Sequence, residues 1–236
     1  MSVVKDITKE LKSFSKNEKI EVFTRFFKTG KGEYGYGDMF WGITIPEIRG
    51  VARKYYKSVT LQDISELVES QIHEVRLTGY IMLTYMYEKA PKDERENIVS
   101  FYLSNLSGVN NWDIVDLSCY KILGEYVLEN PSKRVLLYDL LESKELWKER
   151  IAIVSTMALI RANEFEDTLR ISKLLLGHKH DLIHKAVGWM LREVGKRDIN
   201  ILRKFLQRNI KGMPRTTLRY AIEKMDESER KRYLSM

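Results

Sequence analysis

A single cysteine, Cys119, stands in a chain of 236 residues. One thiol forms no internal disulfide and excludes zinc sites that need two or more cysteines. Proline is scarce, with 4 residues, and glycine contributes only 13, so little interrupts long helices. No apolar run approaches the roughly 20 residues of a membrane span. The opening residues Met1-Ser2-Val3-Val4-Lys5-Asp6 lack the apolar stretch of a secretory signal. Together these absences lead us to expect a protein of the reducing cytoplasm with no membrane association. Acidic residues are in deficit as well: 33 Asp+Glu face 40 Lys+Arg, for a net charge of +7 and a pI of about 9.2. That excess suits a polyanionic partner, although many proteins this basic touch no nucleic acid.

What is present is helical periodicity. Apolar residues recur three and four apart, as in Ile72, Val75, Gly79, Met82, Leu83 and Met86, the spacing of one helix face. The pattern predicts helices at about 3–13, 17–28, 46–57, 61–69, 73–90, 92–105, 112–129, 132–142, 145–161, 165–176, 181–195, 198–208, 215–224 and 227–234. Pro46, Pro91, Pro131 and Pro214 fall where each suits a first helical turn. No linker or low-complexity stretch divides the chain, so a single domain over 1–236 is the expectation.

Short and long helices alternate, and five segments align. They begin at Arg76, Asp116, Arg150, Lys185 and Arg215, each a charged residue near a helix start followed by a small or apolar run. Their spacings of 40, 34, 35 and 30 residues are those of helical-hairpin repeats of the HEAT type. The expected fold is therefore all-α: HEAT-like hairpins stacked into a curved superhelical solenoid with a concave basic groove. An irregular bundle with accidental similarity is the alternative.

Four of the five aligned positions are basic: Arg76, Arg150, Lys185 and Arg215. Such a ladder either tracks a phosphate backbone, helped by helix N-termini, or bridges neighbouring repeats. The fifth is an acid. In Asn110-Asn111-Trp112-Asp113-Ile114-Val115-Asp116 the asparagines supply an N-cap and Asp113 suits the first turn. Trp112, Asp116 and Tyr120 are four apart and share one face, beside a core stripe of Val115, Cys119, Ile122, Leu123 and Tyr126. A carboxylate among cations is unfavourable for phosphate binding, which raises the question of what it stabilises. Cleavage of an N-glycosidic bond develops oxocarbenium character on the sugar, and a carboxylate between π-faces stabilises that charge. It can also orient or deprotonate the attacking water. The structural alternative is an Asp satisfied by an arginine of the next repeat. Trp189 lies four residues after Lys185, and Trp147 three before Arg150; packing between repeats explains either as readily as ligand contact.

Trp112-Asp113-Ile114-Val115-Asp116, Trp147-Lys148-Glu149-Arg150 and Lys185-Ala186-Val187-Gly188-Trp189, with Gly42-Ile43-Thr44-Ile45-Pro46-Glu47-Ile48-Arg49 near the start, resemble the AlkD-like DNA alkylation repair glycosylases over nearly the whole chain. The resemblance implies a monofunctional enzyme that removes positively charged N3- and N7-alkylated purines from double-stranded DNA. It implies no metal, no cofactor and no deep base-holding pocket. Asp116 would be the catalytic carboxylate, Trp112 and Trp189 would pack against the damaged nucleotide's sugar, and Arg150 would hold a nearby phosphate. A monomer is expected. The segment from Gly30 to Trp41 is longer and more glycine-rich than in the best-known members, and either Tyr36 or Trp41 is exposed there for a ligand or the segment covers the first helices. The competing reading is a non-catalytic HEAT-like scaffold that binds DNA or protein through the same groove.

Three other signals are set aside. Gly30, Gly32 and Gly35 match the letters of a dinucleotide fingerprint but follow a helix instead of a strand. His178, His180 and His184 cluster without a third convincing metal ligand or an intervening Glu base. Cys119, on an apolar face, reads as a buried small residue. No lysine stands beside the acid in its motif, which argues against a lyase step.

Overall fold

The computed structural model describes residues 2–236. Its contacts cluster into two compact units, residues 1–118 and 119–236. The first carries α1 (Val3–Ser13), α2 (Asn17–Phe26), α3 (Ile45–Tyr55), α4 (Leu61–Val68), α5 (His73–Lys89), α6 (Lys92–Ser104) and most of α7 (Trp112–Cys119). The second continues through a π-turn (Tyr120–Gly124) to α8 (Glu125–Glu129), α9 (Val135–Glu142), α10 (Leu146–Ser155), α11 (Met157–Arg161), α12 (Glu166–Leu175), α13 (Asp181–Arg197), α14 (Ile199–Asn209), α15 (Arg215–Ala221) and α16 (Glu227–Leu234). The described residues hold no strand; Met39 and Ile72 make one isolated bridge.

The fold is all-helical, as the periodicity predicts, and the expected helices form. The helix expected at 145–161 breaks at Thr156, and the one expected at 112–129 takes up the π-turn. Pro46 occupies the first turn of α3, and Pro91 and Pro214 are the N-caps of α6 and α15. Thr44 and Glu47 close a capping box at the start of α3, and Thr60 and Asp63 do the same for α4, each supplying partners for the amides a helix start leaves open.

In the first unit α5 packs against α3, α4 and α6. It is buried on nearly every side, with Val75, Leu77, Tyr80, Ile81, Met82 and Leu83 in the core. In the second, α13 has the same central place, packing on α10, α12, α14 and α15. The α13–α15 approach depends on Gly188. A Cβ there would lie 2.5 Å from the Tyr220 Cβ and 2.7 Å from the Thr217 carbonyl oxygen, so only glycine lets the backbones come this close. Val115, Cys119, Ile122, Leu123 and Tyr126, the stripe read from the sequence, are all buried.

Candidate active site

The start of α5 gathers the first unit's buried charges. Ile72-His73-Glu74-Val75-Arg76 places three polar side chains inside a core, each under 6% exposed, so each must find partners. All three reach the loop between α2 and α3. The Arg76 guanidinium donates to Asp38 Oδ1 at 2.6 Å, to Asn110 Oδ1 at 2.9 Å and to the Ser70 carbonyl at 2.7 Å. Asn110 Nδ2 donates to the same Asp38 oxygen at 2.6 Å. The His73 ring lies between two carboxylates, with Nδ1 3.1 Å from Asp38 Oδ2 and Nε2 2.8 Å from Asp113 Oδ2. Burial alone would push the imidazole pKa down. The adjacent charges and hydrogen bonds of Asp113 and Asp38 outweigh it and raise it to about 9, so the ring is an imidazolium that donates from both nitrogens at neutral pH. Burial opposes ionisation of Asp38, but His73, Arg76 and Asn110 hold its pKa below the usual carboxylate range. Two carboxylates against one imidazolium and one guanidinium leave the cluster neutral.

Glu74 turns its carboxylate to the chain itself. It accepts backbone amides from Trp41 at 3.1 Å, Gly42 at 2.8 Å and Ile43 at 3.2 Å. Gly42 makes this possible with φ of +76°, and a Cβ at that position would stand 2.3 Å from the Lys16 carbonyl oxygen. The glycine-rich loop is therefore clamped at its C-terminal end. Tyr36, at its tip, is 66% exposed, whereas Trp41 is half-buried and its carbonyl accepts from Lys16 N–H and Ser15 Oγ.

Above the histidine rises an aromatic column. Phe40 stacks on His73 with centroids 4.7 Å apart, Phe27 stacks on Phe40 at 5.1 Å, and Trp112 stacks on Phe27 at 5.4 Å. Phe26 meets Trp112 edge-on at 5.7 Å. Trp112 opens α7, its amide accepted by Asn111 Oδ1 at 2.9 Å, so the expected asparagine cap is Asn111. Asn110 instead joins the charge cluster. One turn along α7, Asp116 lines the same cavity as Trp112. That cavity, of about 370 Å³, is walled by α2, the loop, α3, α5 and α7. Both residues are half-exposed. The two first-unit residues proposed from the motif thus meet at one opening.

The basic ladder divides. Arg76 is not presented as a phosphate rung: its side chain is 6% exposed and engaged by Asp38, because the neighbouring loop supplies a buried carboxylate that needs a counter-charge. In the second unit Arg150 is also buried, with Nη1 donating to the Leu182 carbonyl at 2.5 Å, a bridge between α10 and α13. Lys185 is partly exposed and pairs with Asp181 at 2.7 Å. Arg215 is exposed, donating to the Leu234 carbonyl at 2.7 Å. Trp189 is half-exposed on α13, and Trp147 half-exposed on α10. Tyr120 lies under the Arg161 guanidinium at 4.8 Å. His178 meets Glu149 at 3.1 Å and His184 Nε2 meets the His178 carbonyl at 2.5 Å, so these histidines serve local structure.

The model of the DNA alkylation repair enzyme family matches residues 7–225, and the chain belongs to that family. No curated protein matches the sequence. Among solved structures, a predicted DNA alkylation repair enzyme from Enterococcus faecalis is similar, with a TM-score of 0.71 and 15% identity, over 91% of this chain and 98% of that one. At that identity the likeness speaks for a shared helical fold. Among the described residues, no helix is long and apolar enough to cross a membrane.

Sequence reasoning missed His73, Asp38 and Glu74, and assigned Asp113 to the helix dipole alone. A signal existed: His, Glu and Arg within four positions of an otherwise apolar helix start are costly to bury singly. Their partners, 35 and 40 residues away, carry no local mark.

Proposed function

We propose that this protein is a DNA glycosylase that excises cationic N3- and N7-alkylated purines from duplex DNA. What supports the reading most is the pairing of Trp112 and Asp116 at the opening of one cavity in a chain of the alkylation repair family. In the reaction the C1′–N bond breaks and its electron pair leaves with the base, which departs neutral because it was already a cation. Water adds through oxygen to C1′ and gives up one proton. The Asp116 carboxylate stabilises the oxocarbenium character at C1′ and receives or orients that proton. Trp112 presents a π-face to the sugar. Lys185 and Arg215 supply exposed cations for phosphates, and Arg150 sets the start of α13. No protonation of the leaving base is required, so one acid suffices.

The test is release of free base from duplex DNA carrying N7-methylguanine, comparing wild type with Asp116→Asn. Release by wild type alone is expected, with DNA binding by the variant kept or tightened because a negative charge near phosphates is gone. Equal loss of binding and release would make Asp116 structural. Retained binding with no release by either protein would assign a non-catalytic DNA-binding role.

A further inference from the structure

Between α12 and α14, within the second unit, lies a groove of about 760 Å³. Neither Lys185, Trp189 nor Arg215 lines it, so the glycosylase reading makes no use of it. We propose that this groove is a docking site for a partner protein, and that its occupant is an acidic segment carrying apolar anchor side chains. The proposal stands apart from the chemistry at Trp112 and Asp116.

Each of the two helices carries two stripes. The core takes Thr168, Ile171, Ser172 and Leu175 from α12, and Leu202, Phe205 and Leu206 from α14. A second stripe lies beside each. Glu166, Leu169, Arg170 and Lys173 are spaced by three and four, as are Ile201, Lys204, Phe205 and Arg208, so each set shares a face. Both sets line the groove. Its floor is apolar, from Phe165, Leu169, Ile201 and Phe205, and the first three of these are half-exposed. A helix flank that met only water would carry polar residues there. The rim is cationic: Arg170, Lys173, Lys204 and Arg208 are all exposed, against one carboxylate, Glu166. Other surface cations of the unit are paired, Lys185 with Asp181, Lys196 with Glu193 and Arg203 with Glu229. Among the described residues no carboxylate pairs with Lys173, Lys204 or Arg208, and Arg170 faces the Tyr138 ring at 5.2 Å. Lys204 and Arg208, one turn apart on one face, repel each other in the free protein, and an anion in the groove relieves that repulsion. Phosphates of a duplex would satisfy the rim but bring no apolar side chain to the floor. An acidic segment with aliphatic or aromatic anchors satisfies both, in the manner of peptides held by basic, apolar-floored grooves.

The experiment selects a phage-displayed library of short random peptides on the intact protein, with counter-selection on the Lys204→Glu/Arg208→Glu variant. Both positions are exposed, and circular dichroism checks that the variant keeps its helices. Enriched sequences are expected to place carboxylates on both sides of an aliphatic or aromatic residue. The most enriched peptide, synthesised with a fluorescent label, should bind wild type and lose roughly tenfold or more in affinity for Lys204→Glu/Arg208→Glu, read by anisotropy. Ile201→Ala, which shortens the floor at a half-exposed position, should weaken it several-fold. The same peptide with its carboxylates replaced by amides should lose binding to wild type. No enrichment over the variant, or enriched peptides that lack either carboxylates or apolar anchors, would overturn the proposal. Displacement of the peptide by undamaged duplex DNA would make the groove a nucleic-acid surface and overturn the protein partner.

Discussion

Raising the pH from 6 to 10 should loosen the first unit through His73. The imidazole is raised to about 9 from an ordinary 6.5, so the folded state holds a proton that the unfolded chain has already released. For a raised pKa the stabilisation is complete below about 6.5 and disappears as pH climbs through about 9. The gap, at about 1.36 kcal/mol per pH unit, amounts to roughly 3 kcal/mol. Urea unfolding followed by circular dichroism at pH 6.0, 7.5, 9.0 and 10.0 measures it directly. The quantity of interest is wild type minus His73→Gln, which cancels what the rest of the chain contributes. The variant leaves Asp113 buried without its counter-charge and should lose about 3–5 kcal/mol at pH 6. Its stability should then change little between pH 6.5 and 9, while that of the wild type falls. Parallel curves for the two proteins, or a wild type flat through this window, would refute the charged histidine.

Two further substitutions follow from backbone and surface geometry. Gly42→Ala puts a methyl 2.3 Å from the Lys16 carbonyl oxygen at a φ of +76° and should cost at least about 2 kcal/mol in the same unfolding assay. Gly50→Ala, inside α3 with no atom within 4 Å, should stabilise by about 0.5–1 kcal/mol. On the DNA-binding reading, the Lys185→Ala/Arg215→Ala double variant should reduce the slope of log affinity against log salt by about 2. The corresponding change at Arg76 should impair folding before it alters that slope.

Much of the fold was legible because local rules determine helices here. The periodic apolar faces and the prolines at helix starts act within a few residues. The Trp112/Asp116 pair was legible for the same reason, since four residues on a helix fix a shared face. Arg76 was not. Alignment places it with Arg150, Lys185 and Arg215, but whether a cation faces water or the interior depends on what stands opposite. Asp38, 38 residues away, belongs to a loop with no periodicity. The cavity was equally hidden: Phe40 and Ile43 reach it from a loop whose amides Glu74 holds, a contact between segments more than 30 residues apart. Local spacing specifies faces, whereas loop clamps and buried charge balances are settled between distant segments.

The Glu74 clamp has a consequence for how this protein can vary. Its contacts are to the amides of Trp41, Gly42 and Ile43, groups that almost any residue supplies, and the Trp41 carbonyl is held in turn by Lys16 N–H. The clamp reads the path of the chain and is nearly blind to side-chain identity, Gly42 excepted. Ahead of it, Lys31, Gly32, Glu33, Tyr36 and Gly37 lie in the open. Insertions or wholesale substitutions at that tip leave the anchored end and the aromatic column beneath it in place. Here a lineage can remodel the exposed loop tip without disturbing the helices that carry Trp112 and Asp116.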